Sequence, residues 1–311
     1  MTYWHGKHVV VTGGAGFTGS HVVRNLIERR GVPSEMIRVP RREQYDLRVF
    51  ADALEALDGA DVVLHLASDT NGLGYTRTHQ AQQFVNCTLL DLQVFEAARR
   101  AGARRVVAVS SVVAYPHDAP SPLREEDLLA GDPADSHLGY GLAKRNVVRL
   151  AELYARQYDL STCVLLAANV YGPGDNFDPQ SAHVIPSLIA KCQRDEELVV
   201  WGEGRELRDF LYVEDLAEAT VTAAEREDVI GPLNIGPGRE ASIREVVRLV
   251  VETSKFRGPV HFDASKRGGQ PRRSVSIERA GRLLGFAPQY DLREGVTRTV
   301  QWYEETTLAR A

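Results

Sequence analysis

Cysteine is scarce in this chain. Three occur in 311 residues, Cys87, Cys163 and Cys192, and no two form a CxxC pair. Such spacing excludes a disulfide framework and makes a reducing, cytoplasmic setting the expectation. Long hydrophobic runs are lacking too, and none reaches the ~18 apolar residues that a membrane helix needs. The first residues do not show the charged-then-apolar order of a secretory leader. There is no basic excess, because 37 Lys and Arg face 42 Asp and Glu for a net charge of −5. A general nucleic-acid binder would carry the opposite imbalance. No His, Cys and acid set has metal-ligand spacing, and no repeat or low-complexity linker is visible. What remains is 43% apolar and 25% charged, the make-up of a globular enzyme with a sizeable core.

Short apolar runs then supply the fold. His8–Thr12, Met36–Val39, Asp61–Leu66, Arg105–Ser110 and Thr162–Ala168 are β-branched or apolar throughout, which predicts buried strands. Between them lie helical spacings over Phe17–Arg30, Gln80–Ala101 and Tyr140–Tyr158, the second ended by Gly102. Strands alternating with helices, with no polar/apolar alternation inside the strands, predict a parallel sheet covered on both faces. After Tyr171 the texture changes to YGPGDNFDPQ, a loop signature. Shorter elements follow: strands near Leu198–Trp201 and Pro232–Ile235, and helices near Glu214–Ala224, Ile243–Val251 and Ser276–Leu284. Ser242 and Glu245 form a capping box for the helix at 243. The expectation is an α/β protein. Residues 1–170 would form a Rossmann-type, doubly wound parallel sheet. Residues 171–311 would mainly form a smaller C-terminal α/β substrate-binding lobe, with some segments returning to the sheet.

Gly13-Gly14-Ala15-Gly16-Phe17-Thr18-Gly19 follows the first strand and opens the first helix. Glycines there permit a tight turn and let backbone N–H groups approach a pyrophosphate at a helix N-terminus. At the end of the second strand stand Arg38, Arg41 and Arg42. An acidic residue there would hold a ribose 2′-OH, whereas cations suit a 2′-phosphate, so NADP is expected, with NAD the open alternative.

Tyr140 and Lys144 form YxxxK at a helix start and share one face. An ammonium beside a phenol stabilises the phenolate, which makes Tyr140 a candidate general acid or base. Ser110 and Ser111 end the fourth strand, where parallel sheets bind ligands. His65 reads as a satisfied core histidine, and Cys87 and Cys163 as small core residues.

These motifs, in this order, resemble the extended short-chain dehydrogenase/reductases over nearly the whole chain. Within that superfamily, VTGGAGFTGSHVV, YGLAK, NVYGPGDNFDP, AHVIPSLIAKC and VVWGEGRELRDFLYVED look like the GDP-L-fucose synthase group. The segment LASDTNGLGY, with Gly72 and Gly74, looks like GDP-mannose 3,5-epimerase. The resemblance implies Tyr140 as acid/base, Lys144 as its partner on the nicotinamide ribose, and Ser111, or else Ser110, as the catalytic serine. It implies cofactor contacts from Gly13, Gly16, Phe17, Thr18 and Gly19, from Arg41 and Arg42, and from Leu66 and Ala67. Ser110, Lys144, Asn169, Val170 and His183 would complete that set. Ser111, Asn169, Lys191, Trp201, Arg208 and Arg273 would hold a nucleotide-diphosphate sugar. His183 would be an epimerisation acid/base, or else only touch phosphate. Lys266–Arg273 lies where relatives have a substrate-covering loop. One departure matters: the group's second epimerisation acid/base is a cysteine two residues after the serine, and here that position is Val113, which moves no proton. Reduction of a 4-keto sugar without double epimerisation is therefore the expectation, with an epimerase using tightly bound NAD(P) as the alternative. A non-catalytic relative and a reductase of non-sugar carbonyls are the remaining rivals. A homodimer joined through the helices at 80–101 and 140–158 is also implied.

Overall fold

The computed structural model describes residues 2–70, 73–178, 181–265 and 271–308. In the first half, apolar strands alternate with helices. Val9–Thr12 (β1) leads into Phe17–Glu28 (α1), Ile37–Arg38 (β2), Phe50–Ala56 (α2) and Val62–His65 (β3). Leu73–Thr78 (α3), Gln80–Arg100 (α4), Arg105–Ser111 (β4), Leu138–Tyr158 (α5) and Ser161–Ala167 (β5) follow. The second half runs Asn169–Tyr171 (β6), Val184–Arg194 (α6), Leu198–Trp201 (β7), Leu207–Arg208 (β8), Phe210–Tyr212 (β9) and Val213–Glu225 (α7). Gly231–Ile235 (β10), Ala241–Ser242 (β11), Ile243–Thr253 (α8), Val260–Asp263 (β12), Arg272–Arg273 (β13), Glu278–Leu284 (α9) and Leu292–Leu308 (α10) complete the chain.

The main sheet has six strands in the order β10-β5-β4-β3-β1-β2, every pair parallel. Its inner strands are buried on both faces, as their unbroken apolar runs require, while the short edge strand β2 is partly exposed. Val10, Val63, Val106 and Val164 face one core layer, shared with α2, α4 and α5. Val9, Val11, Leu64 and Leu165 face the other, shared with α1 and α7. Each such side chain contributes roughly 1.5–3 kcal/mol by leaving water. A third core belongs to the C-terminal lobe, where Ile185, Ile189, Val246, Val250, Val296 and Val300 join α6, α8 and α10. The serine half of the capping box forms, the Ser242 hydroxyl accepting the Glu245 N–H at 3.1 Å. Among the described residues no helix is long and apolar enough to cross a membrane.

Two connections position the site. β10 comes from beyond the lobe and returns to the edge of the main sheet beside β5. The segment after β13 is stitched back to the first half: Leu123 N–H donates to Ser274 O at 2.8 Å and Ser276 N–H to Leu123 O at 2.9 Å. This brings Arg273 to the carboxyl end of β4.

Candidate active site

The glycine turn is as tight as its sequence implies. Gly13 adopts φ +69°, and a Cβ there would lie 2.8 Å from the Ala67 nitrogen. A Cβ on Gly19 would lie 2.1 Å from the Gly13 carbonyl oxygen. The turn, α1 and the end of β3 can approach only because these side chains are missing. Gly16 starts α1 with no side-chain cap, which leaves the first-turn N–H groups to a ligand anion. Around them opens a cavity of about 930 Å³, within the usual range of roughly 300–1,000 Å³ for ligand clefts. Its wall brings together Gly13, Gly16, Phe17, Thr18, Gly19, Arg41, Arg42, Leu66, Ala67 and His183, so ten of the residues expected at a dinucleotide share one space. A glycine-lined wall that lets backbone approach closely is what a dinucleotide pyrophosphate needs, and the cradle fits a dinucleotide.

The reacting end adjoins this cavity. The Tyr140 hydroxyl lies 3.3 Å from Thr70 Oγ1, and Thr70 lines the cavity. Lys144 Nζ lies 5.7 Å from the Tyr140 ring centre and 3.4 Å from the Val109 carbonyl oxygen, to which it donates. Burial opposes the Lys144 charge, but Tyr140, Asp91 and Cys87 outweigh it and raise its pKa. The two serines separate clearly. Ser110 is buried and its hydroxyl donates to the Lys144 carbonyl at 2.6 Å, so that side chain fastens α5 to β4 and is committed. Ser111 is half-buried and accepts only the Val113 N–H, at 3.4 Å, which leaves its hydroxyl to serve a ligand. Val113 itself brings no titratable group.

The expected substrate side is partly assembled. β13 pairs with β8 so that Arg273 stands opposite Arg208. Burial pushes the Arg273 guanidinium down to about 10, with the Arg208 charge adding to it, and burial lowers Arg208 as well. Both are half-buried and donate to backbone carbonyls, Arg208 to Leu207 and Arg273 to Val112, which leaves further N–H groups of each fork for an anion. Asn169 on β6 donates to the Asp209 carbonyl at 2.8 Å, next to Arg208, and Val170 follows half-buried on the same strand. Lys191 donates to the Val199 carbonyl at 3.0 Å, and Trp201 at the end of β7 is 67% exposed. Gly72 and Lys266–Gln270 lie outside the described residues.

Several residues of the cavity wall, and one at the start of α5, had no motif to announce them. His137, three residues before Tyr140, is pushed down to about 4 by burial and the Arg273 charge. Arg48 pairs with Asp46 at 2.6 Å and donates to Asn86 Oδ1 at 3.1 Å. Thr70 and Tyr75 come from the segment after β3. Asp175 lies inside the YGPGDNFDP loop, which the resemblance had marked without naming it. His65 is the core residue expected: it bridges Thr12 Oγ1 at 2.7 Å and Asp91 Oδ1 at 2.9 Å. Cys87 and Cys163 are buried, as expected of core residues.

The family model for the NAD dependent epimerase/dehydratase family matches residues 9–236. The chain belongs to that family. It is accordingly an NAD(P)-dependent enzyme of the short-chain dehydrogenase/reductase type. It is 31% identical to GDP-L-fucose synthase 1 of Arabidopsis thaliana over 97% of this chain and 94% of that one. It is 29% identical to the dTDP-4-dehydro-6-deoxy-D-allose reductase of Streptomyces bikiniensis, over 98% of each. A solved GDP-L-fucose synthetase from Naegleria fowleri bound to NADP shares the fold, with TM-score 0.88 and 24% identity over 99% of this chain and 97% of that one.

Two members of the site hold acids in unusual states. His183 is the N-cap residue of α6 and lines the cavity, and desolvation there lowers its pKa. Asp175 lines the same cavity with one carboxyl oxygen unpartnered, and burial pushes it up to about 7. A carboxyl whose pKa rises on folding favours the folded state fully below its unfolded value of ~3.9, and that advantage is lost as the pH climbs through about 7. Asp175→Asn removes the penalty. Its melting temperature relative to the parent should therefore rise steadily from pH 5 to pH 8, followed by scanning calorimetry without cofactor. A difference independent of pH would show that Asp175 is solvated.

Proposed function

We propose that the protein reduces the 4-keto group of a nucleotide-diphosphate 4-keto-6-deoxyhexose with NADPH. The carrying observation is the Tyr140 hydroxyl placed where the dinucleotide cavity ends, with the Lys144 ammonium beneath its ring. Tyr140 donates its proton to the carbonyl oxygen at C4, Ser111 donates a hydrogen bond to the same oxygen, and Lys144 holds the phenol in place. The cofactor, when bound, supplies the hydride. Arg208 and Arg273 take the diphosphate, and Trp201 offers a face to a base or sugar. The names of the relatives above support this substrate class, and the two paired guanidiniums support it over a small uncharged carbonyl compound.

Val113 restricts the chemistry further. With no acid or base there, His183 is what remains of the pair that the resemblance names for epimerisation, so exchange at two sugar carbons is not expected. The test supplies NADPH with GDP- and dTDP-linked 4-keto-6-deoxyhexoses in D₂O. Stoichiometric NADPH oxidation, with deuterium at no more than one ring carbon by NMR, is the expected result. NAD(H) retained through purification, with no net NADPH oxidation on either sugar, would instead establish the epimerase reading, which His183 at the cavity wall favours.

Cofactor choice follows from the exposed pair on the cavity wall. Replacing Arg41 and Arg42 together by Ser should raise the KM for NADPH about 10–100-fold, the value of charged hydrogen bonds, and leave NADH kinetics unaltered. Equal loss for both dinucleotides would withdraw the NADP assignment. A homodimer belongs to the same proposal. Val85 and Leu92 on α4 and Leu153 on α5 are 50%, 42% and 60% exposed, an apolar face suited to a second copy. Light scattering of the purified protein would show a mass of two chains.

A further inference from the structure

The phenol of Tyr140 has a neighbour that neither the glycine turn nor the YxxxK helix supplies. Thr70 arrives from the segment after β3 and sets its hydroxyl 3.3 Å from the Tyr140 oxygen. It is exposed and lines the dinucleotide cavity. The segment carrying it is pinned from below. Fully buried Gln83 donates to the Asp69 carbonyl at 3.1 Å, and Asn86 donates to the Asp69 carboxylate at 2.9 Å. Both donors stand on α4, so the residue next to Thr70 is held by a rigid helix, and the Thr70 hydroxyl is delivered in place.

The two polar groups assigned to act with Tyr140, Lys144 and Ser111, are poorly suited to exchange protons with solvent. Lys144 is 4% exposed and its amine donates to a buried strand carbonyl. Ser111 is half-buried at the start of a 3-10 turn that its own oxygen caps. Thr70 is the exposed hydroxyl in hydrogen-bond reach of the phenol.

We propose that Thr70 is a positioning and proton-relay residue for Tyr140, orienting its hydroxyl and returning a proton from water to the phenolate after each turnover. The inference rests on Tyr140 being the acid of the proposed reduction. The balance is closed. The Tyr140 O–H bond breaks as an O–H bond forms on the substrate oxygen. The Thr70 Oγ–H proton then passes to the phenolate while Thr70 takes a proton from cavity water. One solvent proton is consumed for each hydride. A 3.3 Å separation is long for an O–H···O bond, as is common before ligands close such a site.

Thr70→Val keeps the shape and removes the hydroxyl, and Thr70→Ser restores it. With NADPH and the 4-keto sugar that the parent turns over, Thr70→Val should lower kcat about tenfold, the worth of one hydrogen bond. Both KM values should stay within about twofold. The pH profile of kcat should shift, its solvent isotope effect should increase, and Thr70→Ser should recover most of the rate. An unaltered kcat and pH profile in Thr70→Val would overturn the relay. So would a raised KM at full kcat, which would make Thr70 a ligand contact, or a failure of Ser to restore a correctly folded variant. Tyr140→Phe run alongside separates the two readings: full activity there would remove the proposed chemistry itself, whereas an inert Tyr140→Phe with an unaffected Thr70→Val would remove the relay alone.

Discussion

Tyr140→Phe should lower kcat by about a thousandfold while leaving NADPH affinity and melting temperature near those of the parent, since a positioned general acid contributes ~10²–10⁴-fold. Phenylalanine keeps the ring, so the packing at the start of α5 survives. What is lost is the one oxygen that stands between Thr70 and the Lys144 ammonium. Ser111 remains and can still donate a hydrogen bond, but an alcohol is a far weaker acid than a phenol, so it does not replace Tyr140 as proton donor. The measurement is initial-rate NADPH oxidation together with a dinucleotide titration by fluorescence quenching. Activity above a tenth of the parent's would show that the proton comes from elsewhere.

Gly19→Ala should be almost as damaging, by a different route. The new methyl would lie 2.1 Å from the Gly13 oxygen, 2.6 Å from the Gly14 Cα and 2.7 Å from the Gly13 carbonyl carbon. All three are backbone atoms, so no side chain can swing aside and the turn itself must open. Overpacking of this kind costs about 1–3 kcal/mol, and the amides facing the cavity move with the turn. The expected result is a lower melting temperature and NADPH affinity reduced by at least tenfold. Gly16→Ala meets its nearest atom at 3.3 Å and should cost far less stability. Equal NADPH affinity in Gly19→Ala and the parent would show that the turn does not hold the dinucleotide.

Where the sequence was legible, the reason is periodicity over a long enough span. β1 and β3 are buried throughout and β4 and β5 nearly so, and α1, α4 and α5 are long enough to show one apolar face. Ile37–Arg38 shrank from the expected Met36–Val39 because only two residues find partners on β1. α10 went unread: its buried Val296 and Val300 are spaced by polar residues and follow Gly295, a weak signal. The glycine turn could be read because its chemistry is local. The facing arginines could not, since Arg208 and Arg273 meet only through the β8–β13 register, 65 positions apart in the chain. Thr70, Arg48 and His137 were invisible for the same reason: each gains its meaning from a neighbour that the fold supplies. Between Ser110 and Ser111 the resemblance favoured Ser111, and the buried bond from Ser110 to the Lys144 carbonyl supplies a physical reason that residue order alone does not carry.

The return of β10 to the main sheet has a bearing on how the chain can be cut. Leu233 and Ile235 are wholly buried beside β5, and the Arg105 guanidinium in β4 reaches the carbonyls of Ala223 and Val229 at 2.6 and 3.0 Å. A polypeptide stopped at Val170 would bare the flank of β5, leave that guanidinium without its carbonyls, and offer an unpaired ladder to any neighbour. Such a fragment would clump rather than bind dinucleotide. Swapping the lobe for a relative's therefore demands that residues 231–235 stay with the sheet they complete.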